Sequence, residues 1–264
     1  MLLKTIFFLI ILCTSMLNEV CAEGYENPLA SPFSFNESRR KNIKSGSLEA
    51  TAIKDSWKLE KLDTARNFDY LTDIEKDIIL ALNMVRSDPC RYAELYIKPI
   101  INSFEGKTRR VNGRILRTAE GIVPAEELYD YLIHHAQVPV LVVAQDLHRS
   151  ADELALDQSF TGDTGHISSK GRGFAVRIKS YGRWNKGLSE TIGYGGKTGF
   201  DIVNNMLIDD GVSDRIHRFV MMDPVFHVVG ASVRNHSVYG RTTVIDYAAR
   251  SASSTTKKEE ITWQ

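Results

Sequence analysis

Residues 165–230 read GHISSKGRGFAVRIKSYGRWNKGLSETIGYGGKTGFDIVNNMLIDDGVSDRIHRFVMMDPVFHVVG. Five of its residues, two histidines and three acids, are candidates for a site, and they fall in four places well separated along the chain: His166, Glu190, Asp209 with Asp210, and His217. Side chains at such separations can meet only in a folded domain. Histidines and carboxylates that meet can bind a divalent metal or move a proton. The stretch therefore supplies the candidate site as well as the main fold signal.

Each of these residues also has an ordinary structural explanation. His166 follows a polar loop, and a lone loop histidine is commonly solvated or hydrogen-bonded. Glu190 lies in a segment flanked by glycines, where an exposed turn carboxylate is the default. His217 precedes an apolar run and fits a core histidine whose ring is satisfied. These residues therefore indicate a site only when they are taken together, since each one alone has an ordinary structural explanation.

The acidic pair Asp209 and Asp210 stands at the end of an amphipathic helical pattern. The helix macrodipole disfavours acids at a helix C-terminus. Two acids there need a partner, and Arg215, Arg218 or a metal ion would provide one. The chain contains no His-Glu-x-x-His motif, no Gly-x-Ser-x-Gly elbow and no phosphate-binding loop.

Helices are predicted by capping signals and apolar periodicity. Thr72 and Glu75 form a capping box, and apolar residues at helical spacing follow it. Further helical patterns lie around residues 126–136 and 147–162. Another begins at the capping pattern of Thr198 and Asp201 and closes at Gly211.

Strands are predicted late in the chain. Residues 228–233 and 238–247 are rich in β-branched side chains, and residues 235–237 join them as a short turn. This pattern predicts an antiparallel hairpin. Because helices come first and paired strands last, the sequence predicts an α+β protein with helices packed on a small sheet.

Taken together, these segments resemble the CAP/SCP superfamily of cysteine-rich secretory, antigen-five-type and pathogenesis-related proteins, in its disulfide-poor, bacterial-like branch. The resemblance extends over about two thirds of the chain, and the matching segments within it are residues 79–88, 92–94, 147–159, 165–166, 189–192, 202–212, 217–218 and 229–233. The chain departs from the family where Gly-Glu-Asn is usual and stands here as Ser189, Glu190 and Thr191. Ile216 also replaces the glycine before the second histidine, and the insert between Phe104 and Pro139 is long.

The resemblance implies a three-layer α-β-α sandwich with a small antiparallel sheet. It also implies a cleft formed by His166, Glu190 and His217, with Asp209 or Asp210 as the second acid. In this arrangement His166 and His217 would hold zinc or another divalent cation, and the ligand would be a lipid, a sterol or an extracellular protein.

Two functions follow from this resemblance. The first is a secreted, non-enzymatic binding or interaction module with a metal-responsive cleft. The second is a metal-dependent secreted hydrolase in which Glu190 acts as general base on a metal-bound water. A catalytic metal usually has three protein ligands. The sequence offers two histidines, so it favours binding over catalysis.

The sequence divides into a predicted signal peptide, an arm, one folded domain and a tail. Lys4, the apolar residues 6–12 and the small-residue pattern before Glu23 indicate a signal peptide over residues 1–22. A signal anchor or a short buried helix is the alternative. We expect an extended or disordered arm over residues 23–70, the CAP/SCP domain over 71–249 and a flexible tail over 250–264. The sequence thus predicts an exported, extracellular protein without a transmembrane segment.

Cysteine usage and charge restrict the partners. Removal of the signal peptide would remove Cys13 and Cys21, so the mature chain would keep Cys90 alone and form no internal disulfide. Cys90 would then be a small buried residue, a reactive thiol or one half of an intermolecular bridge. The 33 basic residues balance the 33 acidic ones, so bulk charge favours neither nucleic acid nor an anionic membrane.

Overall fold

The computed structural model describes residues 43–111, 113–184 and 187–249. The helices are α1 (Leu48–Lys54), α2 (Leu59–Leu62), α3 (Asp73–Ser87), α4 (Pro89–Tyr92), a π-helical turn (Ala93–Ile97), α5 (Lys98–Ile101), α6 (Val123–His134), α7 (Gln145–Thr161), α8 (Phe174–Tyr181), α9 (Gly199–Ile208) and α10 (Ile216–Met222). The strands are β1 (Phe104–Glu105), β2 (Thr108–Val111), β3 (Arg114–Arg117), β4 (Val142–Val143), β5 (Leu188–Tyr194), β6 (Val228–His236) and β7 (Gly240–Ala248). These elements form an α+β sandwich, as the sequence predicts.

The central sheet has the strand order β4-β6-β7-β5. The β6–β7 hairpin is antiparallel, and β5 pairs antiparallel with β7. The short edge strand β4 runs parallel to β6, so the sheet is antiparallel in its other two pairings and parallel at that edge. The hairpin turn also lies later than residues 235–237, because pairing continues to His236 and Gly240.

Helices cover both faces of this sheet. On one face α7 lies so close to β6 that a Cβ at Gly230 would come within 2.0 Å of the His148 amide nitrogen. On the other face a Cβ at Gly193 of β5 would lie 3.1 Å from the sulfur of Met206 in α9. One helical layer therefore contains α7 and α8, and the other contains α3, α9 and α10 with α6 beside them.

Both predicted capping boxes are present. Thr72 and Glu75 exchange side-chain and backbone hydrogen bonds at the start of α3. Thr198 and Asp201 do the same at the start of α9. The apolar stripe of α3 then enters the core, where Ile78 is fully buried. Local capping and apolar spacing thus place the two helices that support the second helical layer.

The prediction of an extended arm over residues 23–70 is wrong for residues 43–70. These residues form α1 and α2 and bury Ala52, Leu59 and Leu62 in the main core. The side chain of Asn83 on α3 fixes them, because its amide donates to the Leu62 carbonyl at 2.9 Å. Helices of seven and four residues are too short to give sustained periodicity. The predicted signal peptide, the rest of the arm and the tail lie outside the described residues.

In the full-length chain Cys90 is half-buried and disulfide-bonded, whereas the prediction of a lone cysteine concerns the chain without its signal peptide. That prediction depends on the loss of Cys13 and Cys21 with the signal peptide, and both cysteines lie outside the described residues.

The insert between Phe104 and Pro139 builds a second sheet and α6. Its strands are antiparallel in the order β1-β2-β3. Phe104 packs against the main core and attaches this small sheet to the domain. Among the described helices, none combines the length and the apolar character that crossing a membrane requires.

Candidate functional site

The structure pairs the first predicted histidine with the first predicted acid. Nδ1 of His166 lies 2.8 Å from Oε1 of Glu190. His166 stands on the loop between α7 and α8, and its side chain is 49% exposed. The loop is fixed because the Gly165 amide donates to the Tyr194 hydroxyl at 2.9 Å. With Nδ1 occupied, Nε2 is the ring nitrogen left for another partner.

A buried arginine, which the sequence does not predict as a site residue, binds the carboxylate of Glu190. Arg177 of α8 is fully buried and donates to the second carboxylate oxygen of Glu190. It also donates to the carbonyls of His166 at 2.9 Å and Arg172 at 2.7 Å. Both oxygens of Glu190 therefore have protein partners. This leaves Glu190 poorly placed to act as a metal ligand or a general base.

A second buried acid completes this cluster. Asp246 of β7 is the cross-strand partner of Glu190 and is fully buried beside Ser150 of α7. Burial raises the pKa of Asp246 well above its ordinary value, and the negative charge of Glu190 raises it further. Two carboxylates this close cannot both ionise cheaply. Asp246 therefore carries the proton of the pair, while Glu190 is the carboxylate that faces Arg177.

The second predicted histidine is paired with an acid as well. Oδ1 of Asp209 lies 2.6 Å from Nδ1 of His217, and its Oδ2 accepts from the His217 backbone amide at 3.0 Å. Asp209 ends α9 in the left-handed conformation, with φ 60°. From there its carboxylate caps the first turn of α10. This explains an acid at a helix C-terminus without a metal ion.

Asp210 does not join the histidines. Its carboxylate accepts from the backbone amides of Ala119 at 2.7 Å and Glu120 at 2.9 Å. It therefore docks the segment before α6 onto the end of α9. Of the two acids between which the sequence leaves the choice open, Asp209 is the one that contacts a candidate histidine.

Arg215 strengthens the support of the second pair. It donates to both carboxylate oxygens of Glu120, at 2.7 and 2.8 Å, and to Glu127 at 2.8 Å. It also donates to the Asp209 carbonyl at 3.0 Å. The hydrogen bonds from Arg215 and from the Gly211 amide lower the pKa of Glu120 to about 2. Arg215 therefore contacts Asp209 through its backbone carbonyl, and the carboxylates that it pairs with are those of Glu120 and Glu127.

The His166–Glu190 pair and the His217–Asp209 pair are held by different elements of the fold. The Glu190 side chain faces the α7–α8 layer, whereas Asp209 and His217 belong to the α9–α10 junction of the other layer. In residues 43–111, 113–184 and 187–249, no hydrogen bond or ion pair joins one pair to the other.

A metal held by three protein ligands does not fit this arrangement. Among the residues that the structure describes, no three His, Cys, Asp or Glu side chains are grouped to hold a metal ion. Both carboxylates are also committed to hydrogen bonds, which leaves two imidazoles at most. A zinc or other divalent cation shared by His166 and His217 stays a prediction from the sequence. The different hydrogen-bond partners that hold the two histidine–carboxylate pairs argue against it.

A groove on the α7–α8 layer is a site that the sequence reasoning missed. It encloses about 520 Å³, and nine residues line it: Arg149, Asp152, Glu153, Leu156, Asp157, Phe160, Ser168, Lys170 and Tyr181. Ser168 follows His166 by two residues, so the His166 loop forms part of the groove wall. The available sequence signal is the apolar pair Leu156 and Phe160, which lie one turn apart on α7.

The three acids of the groove all accept hydrogen bonds within the protein, and two of them, Asp152 and Glu153, pair with arginines. Asp152 accepts from Arg234 and Ser232, both at 2.7 Å. Glu153 accepts from Arg172 at 2.7 Å, and Asp157 accepts from the Ser169 amide at 2.7 Å.

The two cations of the groove, unlike two of its acids, have no partner of opposite charge in the described part of the chain. The Arg149 guanidinium lies 5.1 Å from the centre of the Tyr181 ring. Within the described part of the chain, neither Arg149 nor Lys170 forms an ion pair. The groove therefore offers an anion two positive charges beside an apolar wall.

No protein-family model and no curated protein matches the chain. Among solved structures, it is similar to an outer surface protein from Borrelia burgdorferi, with 17% identity, a TM-score of 0.38, and coverage of 49% of this chain and 91% of that one. It is also similar to an extracellular protein containing an SCP domain from Bacillus anthracis, with 14% identity, a TM-score of 0.36, and coverage of 49% of this chain and 37% of that one. The second neighbour carries the domain that the sequence resembles. Both TM-scores are below 0.5, so neither structure assigns a role to the residues of the site.

Proposed function

We propose that this protein is a secreted, non-enzymatic binding module of the CAP/SCP type, and that its ligand site is the α7–α8 groove beside the His166 loop. The observation that carries the proposal is the combination of an apolar wall with two cations that lack acidic partners. The groove volume of about 520 Å³ falls in the range of small-molecule sites, roughly 300–1,000 Å³.

The lining supports a ligand that has an apolar chain and an anionic end. Phe160 is 82% exposed and lies one turn from Leu156, so an acyl or other apolar chain could cover both side chains. Arg149 and Lys170 would then face a carboxylate or phosphate at the end of that chain. An anionic lipid fits this lining better than an uncharged sterol, because a sterol would leave both cations without a counter-charge.

The metal-dependent hydrolase is less well supported. Its general base would be Glu190, whose oxygens already contact His166 and Arg177. With both oxygens in contact with protein groups, this carboxylate is poorly placed to contact a metal-bound water. Zinc-dependent turnover of a peptide or ester library would overturn the choice of binding over catalysis.

Secretion depends on the signal peptide predicted over residues 1–22, which lies outside the described residues. N-terminal sequencing of protein recovered from the medium tests it, with a mature terminus near Glu23 as the expected result. Recovery of cell-retained protein that still begins with Met1 would contradict the proposal.

Native mass spectrometry of the purified secreted protein tests the ligand, and we expect a copurified anionic lipid. Titration with a fluorescent fatty acid then compares the parent with Phe160→Ser, and we expect binding at least about tenfold weaker because one aromatic contact is lost. Val176→Ser is the matched control, since Val176 is 57% exposed and does not line the groove. Equal affinity of both variants for the fatty acid would contradict the groove as the ligand site.

A further inference from the structure

We propose that the small sheet β1–β3 is a docking surface for a sulfated glycan chain. This surface belongs to the insert between Phe104 and Pro139, and it shares no residue with the groove. The inference therefore goes beyond the proposed function and does not depend on it.

The first argument is the local charge. Residues 104–117 contain five cations, Lys107, Arg109, Arg110, Arg114 and Arg117, and one acid, Glu105. The whole chain has 33 basic and 33 acidic residues, so this segment concentrates positive charge that the rest of the protein balances. A local cluster of one sign attracts a polyanion even when the net charge is zero.

The second argument is the strand register, which separates the two faces of the sheet. Thr108 lies opposite Arg117 on one side and Glu105 on the other, and Arg110 lies opposite Ile115, so these five side chains share one face. On that face Arg110 and Arg117 are exposed, and Ile115 is 68% exposed. Phe104, by contrast, packs against the core. The sheet is thus attached to the domain through β1 and presents Arg110 and Arg117 to solvent on this face. Arg114 lies opposite Val111, on the other face, and is exposed at the end of the β2–β3 hairpin.

The third argument is that these cations lack partners. In the described ranges, Arg110, Arg114 and Arg117 form no ion pair, and all three are exposed. Lys107 uses one donor for the Ala119 carbonyl at 3.1 Å and is exposed as well. Diagonal neighbours on a strand pair lie about 7–8 Å apart. Arg110 and Arg117 therefore form a row of charges that suits a repeating anion.

The choice of a sulfated glycan follows from what the outward face lacks. Guanidinium groups pair with tetrahedral oxyanions through two parallel hydrogen bonds, and basic clusters of this kind bind heparin-like chains. Single-stranded nucleic acid requires aromatic side chains for base stacking, and the described outward face of β2 and β3 has none. A membrane surface requires an apolar face beside the cations. Ile115 is the single large apolar side chain on this outward face.

The test is elution from immobilised heparin in a sodium chloride gradient, using the full chain. We expect the parent to be retained, and the triple variant R110S/R114S/R117S to elute at much lower salt. The slope of log affinity against log salt should fall by about one for each lost contact. The matched control is K54S/K58S/K179S, which removes three exposed lysines elsewhere and changes the net charge equally. It should elute close to the parent.

Competing polyanions complete the experiment. At equal salt we expect weaker binding of duplex DNA and of phosphatidylserine vesicles than of heparin, and loss of binding to desulfated heparin. Equal elution of the two triple variants would overturn the proposal, as would DNA or vesicles binding as tightly as heparin. If R110S/R114S/R117S does not fold, as judged by circular dichroism, the single variant R117S is read in the same gradient. It should elute earlier than K179S, and identical elution would overturn the proposal as well.

Discussion

The two histidine–carboxylate pairs have nearly the same contact distance and different supports. His166 and Glu190 lie 2.8 Å apart above a buried cluster of Arg177 and Asp246. The pair of His217 and Asp209, 2.6 Å apart, is held by a helix cap in which Asp209 also accepts from the backbone amide. The first pair is thus controlled by buried charge and the second by local backbone geometry. A shared residue motif does not make the two pairs equivalent.

The largest expected effect is the loss of the buried arginine. Arg177→Met should destabilise the fold by about 3–5 kcal/mol, because it leaves the Glu190 charge buried without its partner. Urea unfolding of the parent and the variant measures this difference. The double variant R177M/E190Q should recover part of the loss, since it removes the stranded charge. A loss no larger than that of a surface substitution would contradict the buried-cluster account.

The second pair should respond less to loss of its acid. Asp209→Ala removes the cap of α10 and places alanine in a left-handed conformation, so we expect a loss of about 1–3 kcal/mol. Asp209→Asn should cost less, because asparagine tolerates that conformation and keeps an acceptor oxygen. Thermal unfolding of both variants measures the difference. Equal losses from alanine and asparagine would contradict the role of the cap and of the backbone conformation.

The raised pKa of Asp246 predicts a pH dependence of stability in the first region. The folded state holds a proton that the unfolded state releases above its ordinary value of 3.8. Stability should therefore fall as pH rises from that value through the raised folded-state pKa, by at most about 1.4 kcal/mol per pH unit. Asp246→Asn imitates the protonated acid and should flatten this decline. Identical pH profiles of unfolding for the parent and D246N would contradict the assignment of the proton to Asp246.

The smallest effect on stability is expected at Glu120, a surface residue that accepts from Arg215 beside the His217–Asp209 pair. Its pKa is lowered to about 2 from the ordinary 4.5, first by the hydrogen bond from Arg215. Its contribution to stability should be present above the unfolded-state value and be lost as pH falls through the lowered folded-state value. The free energy of unfolding of the parent should therefore fall slightly more steeply with decreasing pH in this window than that of E120Q, which lacks the titrating group. The control variant E105Q should behave like the parent. An acid profile of E120Q as steep as the other two would contradict this assignment.

Local signals in the sequence predict much of the fold and part of the site. The capping boxes of α3 and α9 and the β6–β7 hairpin depend on neighbouring residues, and the sequence predicts each of them. The partners of Glu190 depend on strand register and helix packing, because Asp246 follows it by 56 residues and Arg177 precedes it by 13. No local pattern encodes those contacts. The same holds for the groove, whose walls come from α7, α8 and the loop between them.

The most direct test of the account is a double-mutant cycle on His166 and His217, measured by urea unfolding with and without added zinc. Separate supports predict that the effects of His166→Ala and His217→Ala on the free energy of unfolding add within about 0.3–0.5 kcal/mol under both conditions. A shared metal ion would stabilise the parent alone and would couple the two substitutions when zinc is present. Additivity in both buffers is the predicted result. Coupling clearly above that limit that appears only with zinc would contradict the separation of the two pairs.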